Sequence, residues 1–142
     1  MHRMLAVVIL ALVVVACGSS DDEKSPATAT TTQRQNLSGA VVIVDPDLTT
    51  AVGNGRCTGS AGYEPVSEGA EVVIRDESSR VIGNSLLGEG RPSGEACIFL
   101  FVVRDLPAAR FYSISIADRG TVTYPYEEVA ENRWKVEMTI GA

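Results

Sequence analysis

The most restrictive feature of this sequence is the shortness of its apolar runs after residue 36. Each run is rich in valine, isoleucine or aromatic residues, and glycine, proline or aspartate separates it from the next run. Such spacing is typical of an all-β domain. The predicted strands cover residues 37–45, 71–76, 81–87, 96–104, 111–117, 121–124 and 134–140.

The pattern within these strands predicts how they pack. In 111–117, Tyr112, Ile114 and Ile116 alternate with serines and should face the core. The run 96–104 is apolar on both faces, which predicts a central strand covered on two sides. Pro125, followed by two glutamates, predicts one turn of helix over 125–130. Six or seven strands without long helices predict an antiparallel β-sandwich.

The N-terminal sequence predicts export from the cytoplasm. His2 and Arg3 give a positively charged start, residues 4–15 are apolar, and Ala16 is small enough for a peptidase pocket. This apolar run is too short for a membrane-spanning helix, which needs about 20 residues. An ordinary signal peptide cut near Ala16 and an uncleaved short anchor are the alternatives to a lipoprotein signal.

The stretch Leu-Val-Val-Val-Ala-Cys-Gly-Ser-Ser at residues 12–20 resembles the lipobox of bacterial lipoprotein precursors. The resemblance implies that Cys17 is lipidated and becomes the first residue of the mature protein. Two or more acyl chains hold a protein stably on a bilayer, whereas one does not. We therefore expect attachment to the extracytoplasmic face of the cell membrane through this anchor.

Residues 18–36 contain no large apolar side chain, so they cannot bury enough surface to offset the entropy of ordering. We predict a disordered tether here. The expected organisation is a signal peptide at 1–16, a lipidated cysteine with its linker at 17–36, and a β-sandwich domain at 37–142.

The other two cysteines form an even pair in a chain predicted to be exported, where disulfides are permitted. A disulfide between Cys57 and Cys97 is the favoured interpretation. Two free thiols and a metal-binding pair are the alternatives. Zinc would need further cysteine or histidine ligands, and the mature chain offers none, so we expect no metal or other cofactor.

The domain itself resembles small extracytoplasmic domains of undefined function in actinobacteria. The resemblance rests on Cys57-Thr58-Gly59-Ser60-Ala61-Gly62-Tyr63, Gly69-Ala70-Glu71-Val72, Asp76, Cys97-Ile98-Phe99-Leu100-Phe101, Pro107, Tyr112 and Arg119-Gly120. Residues 69–85 are also similar to the strand and turn pattern of transthyretin-like and carboxypeptidase-regulatory-like sandwiches. These resemblances imply a transthyretin-like or immunoglobulin-like sandwich and bring no activity with them.

Composition excludes several kinds of chemistry. The single histidine, His2, lies in the predicted signal peptide, so the mature protein lacks Ser-His-Asp and Cys-His sites. The formal net charge of −6 disfavours nucleic acid as a partner.

A calcium site at 45–47 is less favoured than a turn, and the glycine loops at 53–55 and 88–90 lack the features of phosphate binders. Paired carboxylates remain for a hydrolase, and the acids near strand ends are Asp76, Glu77, Asp105 and Asp118.

Exposed aromatic side chains indicate a binding surface, because tyrosine and arginine are enriched in interface hot spots. The alternative for Tyr63 and Tyr124 is that they close the ends of the sandwich core. The prediction is a non-enzymatic binding or interaction module with an envelope protein or glycan as partner. A carboxylate-dependent envelope hydrolase and a passive envelope spacer are the alternatives. The predicted patch consists of Tyr63, Tyr124, Tyr126, Arg91 and Arg119.

Overall fold

The computed structural model describes residues 33–141. They belong to one compact unit, Thr31–Ala142. The predicted signal peptide, the predicted lipidation of Cys17 and the predicted tether as far as residue 32 lie outside the described residues.

The described chain forms ten strands, one short α-helix and one 3-10 helix. The sequence predicted six or seven strands, and the additional ones are short. β1 starts two residues before the predicted domain boundary at residue 37, because Gln35 still pairs with Leu106 of the neighbouring strand. The elements are β1 (Gln35–Ile43), the 3-10 helix (Pro46–Leu48), β2 (Thr49–Val52), β3 (Arg56–Gly59), β4 (Glu71–Arg75), β5 (Val81–Leu86), β6 (Arg91–Ser93), β7 (Ala96–Leu106), β8 (Phe111–Ile116), β9 (Thr121–Pro125), α1 (Tyr126–Glu131) and β10 (Lys135–Ile140).

Two four-stranded sheets make up the fold, so the prediction of an all-β sandwich is confirmed. The first sheet has the order β10-β1-β7-β6 and the second has the order β5-β4-β8-β9. β2 and β3 form a separate hairpin. Neighbouring strands run antiparallel except β1 and β10, which run parallel with Ser38 opposite Lys135. The chain therefore places its first and last strands side by side.

The core lies between the inner faces of the two sheets. Alternate residues of β1, β4, β7, β8 and β10 are buried, as expected for sheets that pack on one face. The inward set predicted for residues 111–117 is confirmed, since Tyr112, Ile114 and Ile116 are all buried. The largest fully buried side chains are Tyr112, Phe99, Leu37, Ile43, Ile74, Leu106 and Ile114.

The expectation that 96–104 is covered on two sides is wrong. β7 does lie inside the first sheet, between β1 and β6. Its outer face, however, is open, with Leu100 60% exposed and Val102 45% exposed. Antiparallel sheets often leave one face in contact with solvent, so an apolar run in such a strand does not guarantee a second covering layer.

The predicted disulfide between Cys57 and Cys97 is confirmed, with an S–S distance of 2.05 Å and a Cα–Cα distance of 5.9 Å. It joins β3 to β7 and thereby attaches the β2–β3 hairpin to the first sheet. The Cys57 N–H also donates to the Gly90 carbonyl oxygen at 3.1 Å. These links position a segment whose own strands have few buried side chains.

The predicted helical turn at 125–130 is also confirmed, as α1. Pro125 precedes it, and Val129 is its buried residue. Trp134 follows α1 and stacks edge-on against Tyr112 and Tyr126, with ring centroids 5.7 and 5.8 Å away. Among residues 33–141 there is no helix whose length and apolar character would let it cross a membrane.

Candidate functional site

The structure brings together only two of the five residues predicted to form a binding patch. Tyr63 lies in the loop between β3 and β4, and Arg119 lies in the turn between β8 and β9. The Arg119 guanidinium stands over the Tyr63 ring, 5.6 Å from its centroid, and donates a hydrogen bond to the Gly62 carbonyl oxygen. Tyr63 is partly buried against the core. This contact therefore also closes one end of the sandwich, as the alternative interpretation expected.

The other tyrosines of the predicted patch lie at the opposite end of β9. A strand of this length separates its two ends by about 13 Å. Tyr124 packs partly against the core and donates its hydroxyl to the Glu137 carbonyl oxygen at 2.9 Å. Tyr126 packs against Trp134. The length of β9 therefore separates Tyr124 and Tyr126 from the contact between Tyr63 and Arg119.

Arg91 lies at a third position, on the edge strand β6 of the first sheet. Its guanidinium forms a 2.7 Å ion pair with Glu89. The five residues do not form one surface, because Arg91 belongs to the first sheet whereas Tyr63 and Arg119 meet at a turn of the second.

The acids considered for a hydrolase are engaged in turns. Both oxygens of Asp76 are occupied, since they accept the Ser78 N–H, the Arg80 N–H and the Arg80 Nε–H. Burial raises the pKa of Asp76, but these hydrogen bonds and the Arg80 charge outweigh that effect, so the pKa lies below its usual value. Glu77 accepts the Arg110 N–H at 3.1 Å. The N–H groups of Glu77 itself and of Arg110 are the main reasons that the pKa of Glu77 is lowered.

The remaining predicted acids lie where the backbone turns or is irregular. Asp105 and Asp118 both have a positive φ of 57°; Asp118 lies in the turn between β8 and β9, whereas Asp105 lies within β7 beside the register irregularity of the β1–β7 ladder. Asp45 accepts the Asp47 N–H and caps the 3-10 helix, which supports the turn interpretation over a calcium site there. In the described part of the chain, no group of three or more histidine, cysteine or acidic residues could hold a metal ion.

A groove that the sequence did not predict lies where α1 and the end of β9 meet β10 and β1. Its volume is about 560 Å³. Ser38, Gly39 and Ala40 of β1 are small, so the β1 side of the groove carries no bulky side chain. Leu100, Ala40 and Glu137 lie opposite one another across β7, β1 and β10 and so share one face of the sheet. The lining residues are Ser38, Gly39, Ala40, Leu100, Tyr124, Glu128, Asn132, Lys135, Val136 and Glu137.

The polar side of this groove is electronegative around Tyr124. Burial raises the pKa of Tyr124, and the negative charges of Glu128 and Glu137 raise it further. Both carboxylates therefore influence the ionisation of the same phenol group, that of Tyr124. Asn132 contributes an amide and Lys135 contributes the one cationic side chain of the groove lining. The groove thus combines hydrogen-bond acceptors, donors and a small apolar area in one concave site, which is the composition of many ligand sites.

The sequence predicts the helical turn over 125–130 and the last strand at 134–140, but it does not predict that Glu128 and Glu137 lie near the same tyrosine. Their proximity depends on the parallel pairing of β10 with β1 and on the helix that packs beside it. Tyr124 belongs to the predicted patch, but its neighbours in the groove are Glu128 and Glu137 rather than Tyr63 or Arg91.

Comparisons with known proteins do not extend this assignment. No protein family, curated protein or solved structure matches this chain. The candidate site therefore rests on the geometry of residues 33–141, in which the groove beside β10 combines polar side chains with an apolar area.

Proposed function

We propose that this chain is a lipid-anchored protein of the cell membrane whose extracytoplasmic β-sandwich is a non-enzymatic binding module. The groove beside β10 is the observation that carries the binding function. The lipobox-like stretch that ends at Cys17 supports the anchor. The confirmed disulfide supports a location outside the cytoplasm, because disulfides persist in oxidising compartments.

Replacement of Cys17 tests the anchor directly. In the Cys17→Ser variant the cysteine thiol that would carry the diacylglycerol is missing, so the protein should no longer fractionate with membranes. The measurement is membrane fractionation with a high-salt wash, together with mass spectrometry of the mature N-terminus. Ser19→Ala is the matched control and should remain membrane-bound with a lipidated Cys17. Equal membrane retention of Cys17→Ser and Ser19→Ala would contradict the proposal.

The chemistry of the groove favours a glycan of the cell envelope as the ligand. Carboxylate oxygens accept hydrogen bonds from sugar hydroxyls, while the Asn132 amide and the Lys135 ammonium donate to them. Leu100 and the small side chains of β1 provide an apolar area against which the face of a sugar ring can pack. A peptide ligand has fewer hydroxyls and would use these acceptors less fully.

A groove-filling substitution tests the binding site. Ala40 lies in the middle of the row Leu100–Ala40–Glu137, so Ala40→Trp should fill the groove and weaken glycan binding at least tenfold. Val81→Trp is the matched control, because Val81 is 57% exposed and lies on β5 of the other sheet. Binding is measured by calorimetry with soluble envelope oligosaccharides, and circular dichroism checks that each variant is folded. Equal glycan affinity of the two variants, or no binding by the wild type, would contradict the proposed site.

The same experiment addresses the one alternative that a specific observation favours, a carboxylate-dependent hydrolase. Glu128 and Glu137 both line the groove, and their charges both raise the pKa of Tyr124; glycosidases use two carboxylates about 5 to 9.5 Å apart. A binding module leaves the oligosaccharides intact. Release of reducing ends by the wild type, together with its loss in Glu128→Gln and Glu137→Gln, would replace the binding assignment by a hydrolytic one.

A further inference from the structure

A second concave site lies farther along β10, where the two sheets do not join. β9 is an edge strand of the second sheet, and β10 is an edge strand of the first. No β-ladder connects them in the described part of the chain. The hydrogen bond from the Tyr124 hydroxyl to the Glu137 carbonyl oxygen bridges the two strands near one end. The rest of the gap opens into a cleft of about 290 Å³.

The cleft is lined mainly by aliphatic side chains from the core. Val41, Val66 and Ile114 have no exposed surface and lie at its base. Val122 is opposite Ile114 in the β8–β9 ladder and therefore belongs to the inward side of β9, yet it is 43% exposed. The exposure of this inward-facing residue shows that the apolar edge of the core is uncovered beside β9, although the residues at the base of the cleft have no exposed surface. The full lining is Val41, Val66, Ile114, Ile116, Arg119, Gly120, Thr121, Val122, Met138, Thr139 and Ile140.

We propose that this cleft binds a single aliphatic chain that carries an anionic head group. Its volume corresponds to about ten water molecules at ~30 Å³ each, so it can take up part of an aliphatic chain. Val122 and the partly buried Ile140 line the open part of the cleft, whereas Val41 and Val66 behind them have no exposed surface. The lining combines aliphatic side chains with the Arg119 charge, so its chemistry fits an apolar chain with an anionic head group.

Arg119 supplies the charge complementarity. It lines the cleft together with the hydroxyl-bearing Thr121 and Thr139. A guanidinium has five N–H donors, and the bond to the Gly62 carbonyl oxygen leaves others for a carboxylate or phosphate. Glu64 is the acid that competes for this charge. The Gly62 N–H is the main cause of the lowered pKa of Glu64, and the Arg119 charge also contributes.

The cleft can admit a ligand without breaking a sheet. Widening the gap between β9 and β10 costs no ladder hydrogen bond, because none crosses it in residues 33–141. Met138 lines the cleft, and its unbranched side chain adapts to irregular apolar shapes. This inference requires neither the proposed anchor nor glycan binding in the groove. Fatty acids and lysophospholipids share the required chemistry.

The test uses the domain of residues 31–142, which contains the whole core and the disulfide, so that no covalent lipid interferes. The probes are dodecanoate, dodecanoyl-lysophosphatidylglycerol and the neutral dodecanol. Met138 is the only methionine of this domain, so its methyl NMR signal reports occupancy of the cleft without any substitution. We expect a saturable shift of this signal with at least one anionic probe, and the tighter anionic probe identifies the source of the ligand.

Three variants and one control, Val81→Trp, test which residues contact the ligand. Val122→Trp should block the mouth of the cleft and weaken binding of the anionic probe at least tenfold, whereas Val81→Trp should not. Arg119→Gln should weaken binding of the anionic probe about tenfold with little effect on dodecanol. Glu64→Gln should strengthen binding of the anionic probe, because it removes the competing charge.

The outcomes that overturn the proposal are distinct from failure of the anchor or of the groove. An unshifted Met138 signal with both anionic probes excludes the cleft as their site. Equal losses in Val122→Trp and Val81→Trp place binding elsewhere on the domain. Equal affinity of the wild type for dodecanol and for both anionic probes removes the role assigned to Arg119.

Discussion

Replacement of both Cys57 and Cys97 by alanine is expected to lower the free energy of unfolding by about 4 kcal/mol. The disulfide closes a loop between residues 40 apart in sequence, and it removes the entropy of that loop from the unfolded chain. For a domain of this size, such a loss corresponds to a decrease in Tm on the order of 15–30 °C. Thermal denaturation of domain 31–142, followed by circular dichroism, measures it.

Reduction of the wild-type disulfide provides the matched comparison. The reduced wild type should denature near the Tm of the double variant, because both lack the same loop closure. The double variant should show little response to reductant. A decrease in the free energy of unfolding of less than about 1 kcal/mol would contradict this prediction. It would mean that the disulfide restricts the unfolded chain little and that other contacts stabilise the domain.

Truncation of Phe99 to alanine is expected to cost about 3 to 5 kcal/mol, as for other buried aromatic residues. Phe99 lies on the inner face of β7 with no exposed surface. Its ring packs against Gly90, where a Cβ atom would meet Cε1 and Cζ of the ring as well as the Cys57 carbonyl oxygen. The cavity left by alanine therefore opens directly beside the disulfide and the segment that leads into β6.

Val102→Ala is the matched control for this prediction. Val102 is on the same strand, but it lies on the outer face and is 45% exposed. Its truncation should change the free energy of unfolding by no more than about 0.5 kcal/mol. Urea denaturation of the two variants measures their free energies of unfolding and so compares the buried face of β7 with its exposed face. Similar losses in both variants would contradict the assignment of an open outer face.

The strands that could be predicted from the sequence are those whose apolar residues alternate with polar ones or form a continuous run. In β8, Tyr112, Ile114 and Ile116 alternate with serines, and the burial follows that pattern. β2, β3 and β6 have no such alternation, since their sequences are Thr-Thr-Ala-Val, Arg-Cys-Thr-Gly and Arg-Pro-Ser. They form strands because other parts of the chain provide their hydrogen-bonding partners. Local β-propensity contains little information about those partners.

The candidate site was less predictable than the fold for the same reason. Proximity of Glu128 and Glu137 depends on which strand lies beside β1, and that strand comes from the far end of the sequence. The Cys57–Cys97 pair could be predicted because compartment and elimination of other partners were sufficient. The sequence offers no comparably small set of candidate neighbours for a tyrosine. It therefore predicts one patch that includes both Tyr63 and Tyr124, although the structure places them near opposite ends of β9.

The side-by-side placement of β1 and β10 has a consequence for the order of folding. Ser38 receives its partner, Lys135, only after all the strands between them have been made. A nascent domain that lacks β10 has an unpaired edge on β1 and a core without Val136 and Met138. Contacts between such distant residues form slowly, since a long loop must close first. Under the proposed location outside the cytoplasm, this delay favours a chain that crosses the membrane unfolded, because the sheet cannot be completed until β10 has followed.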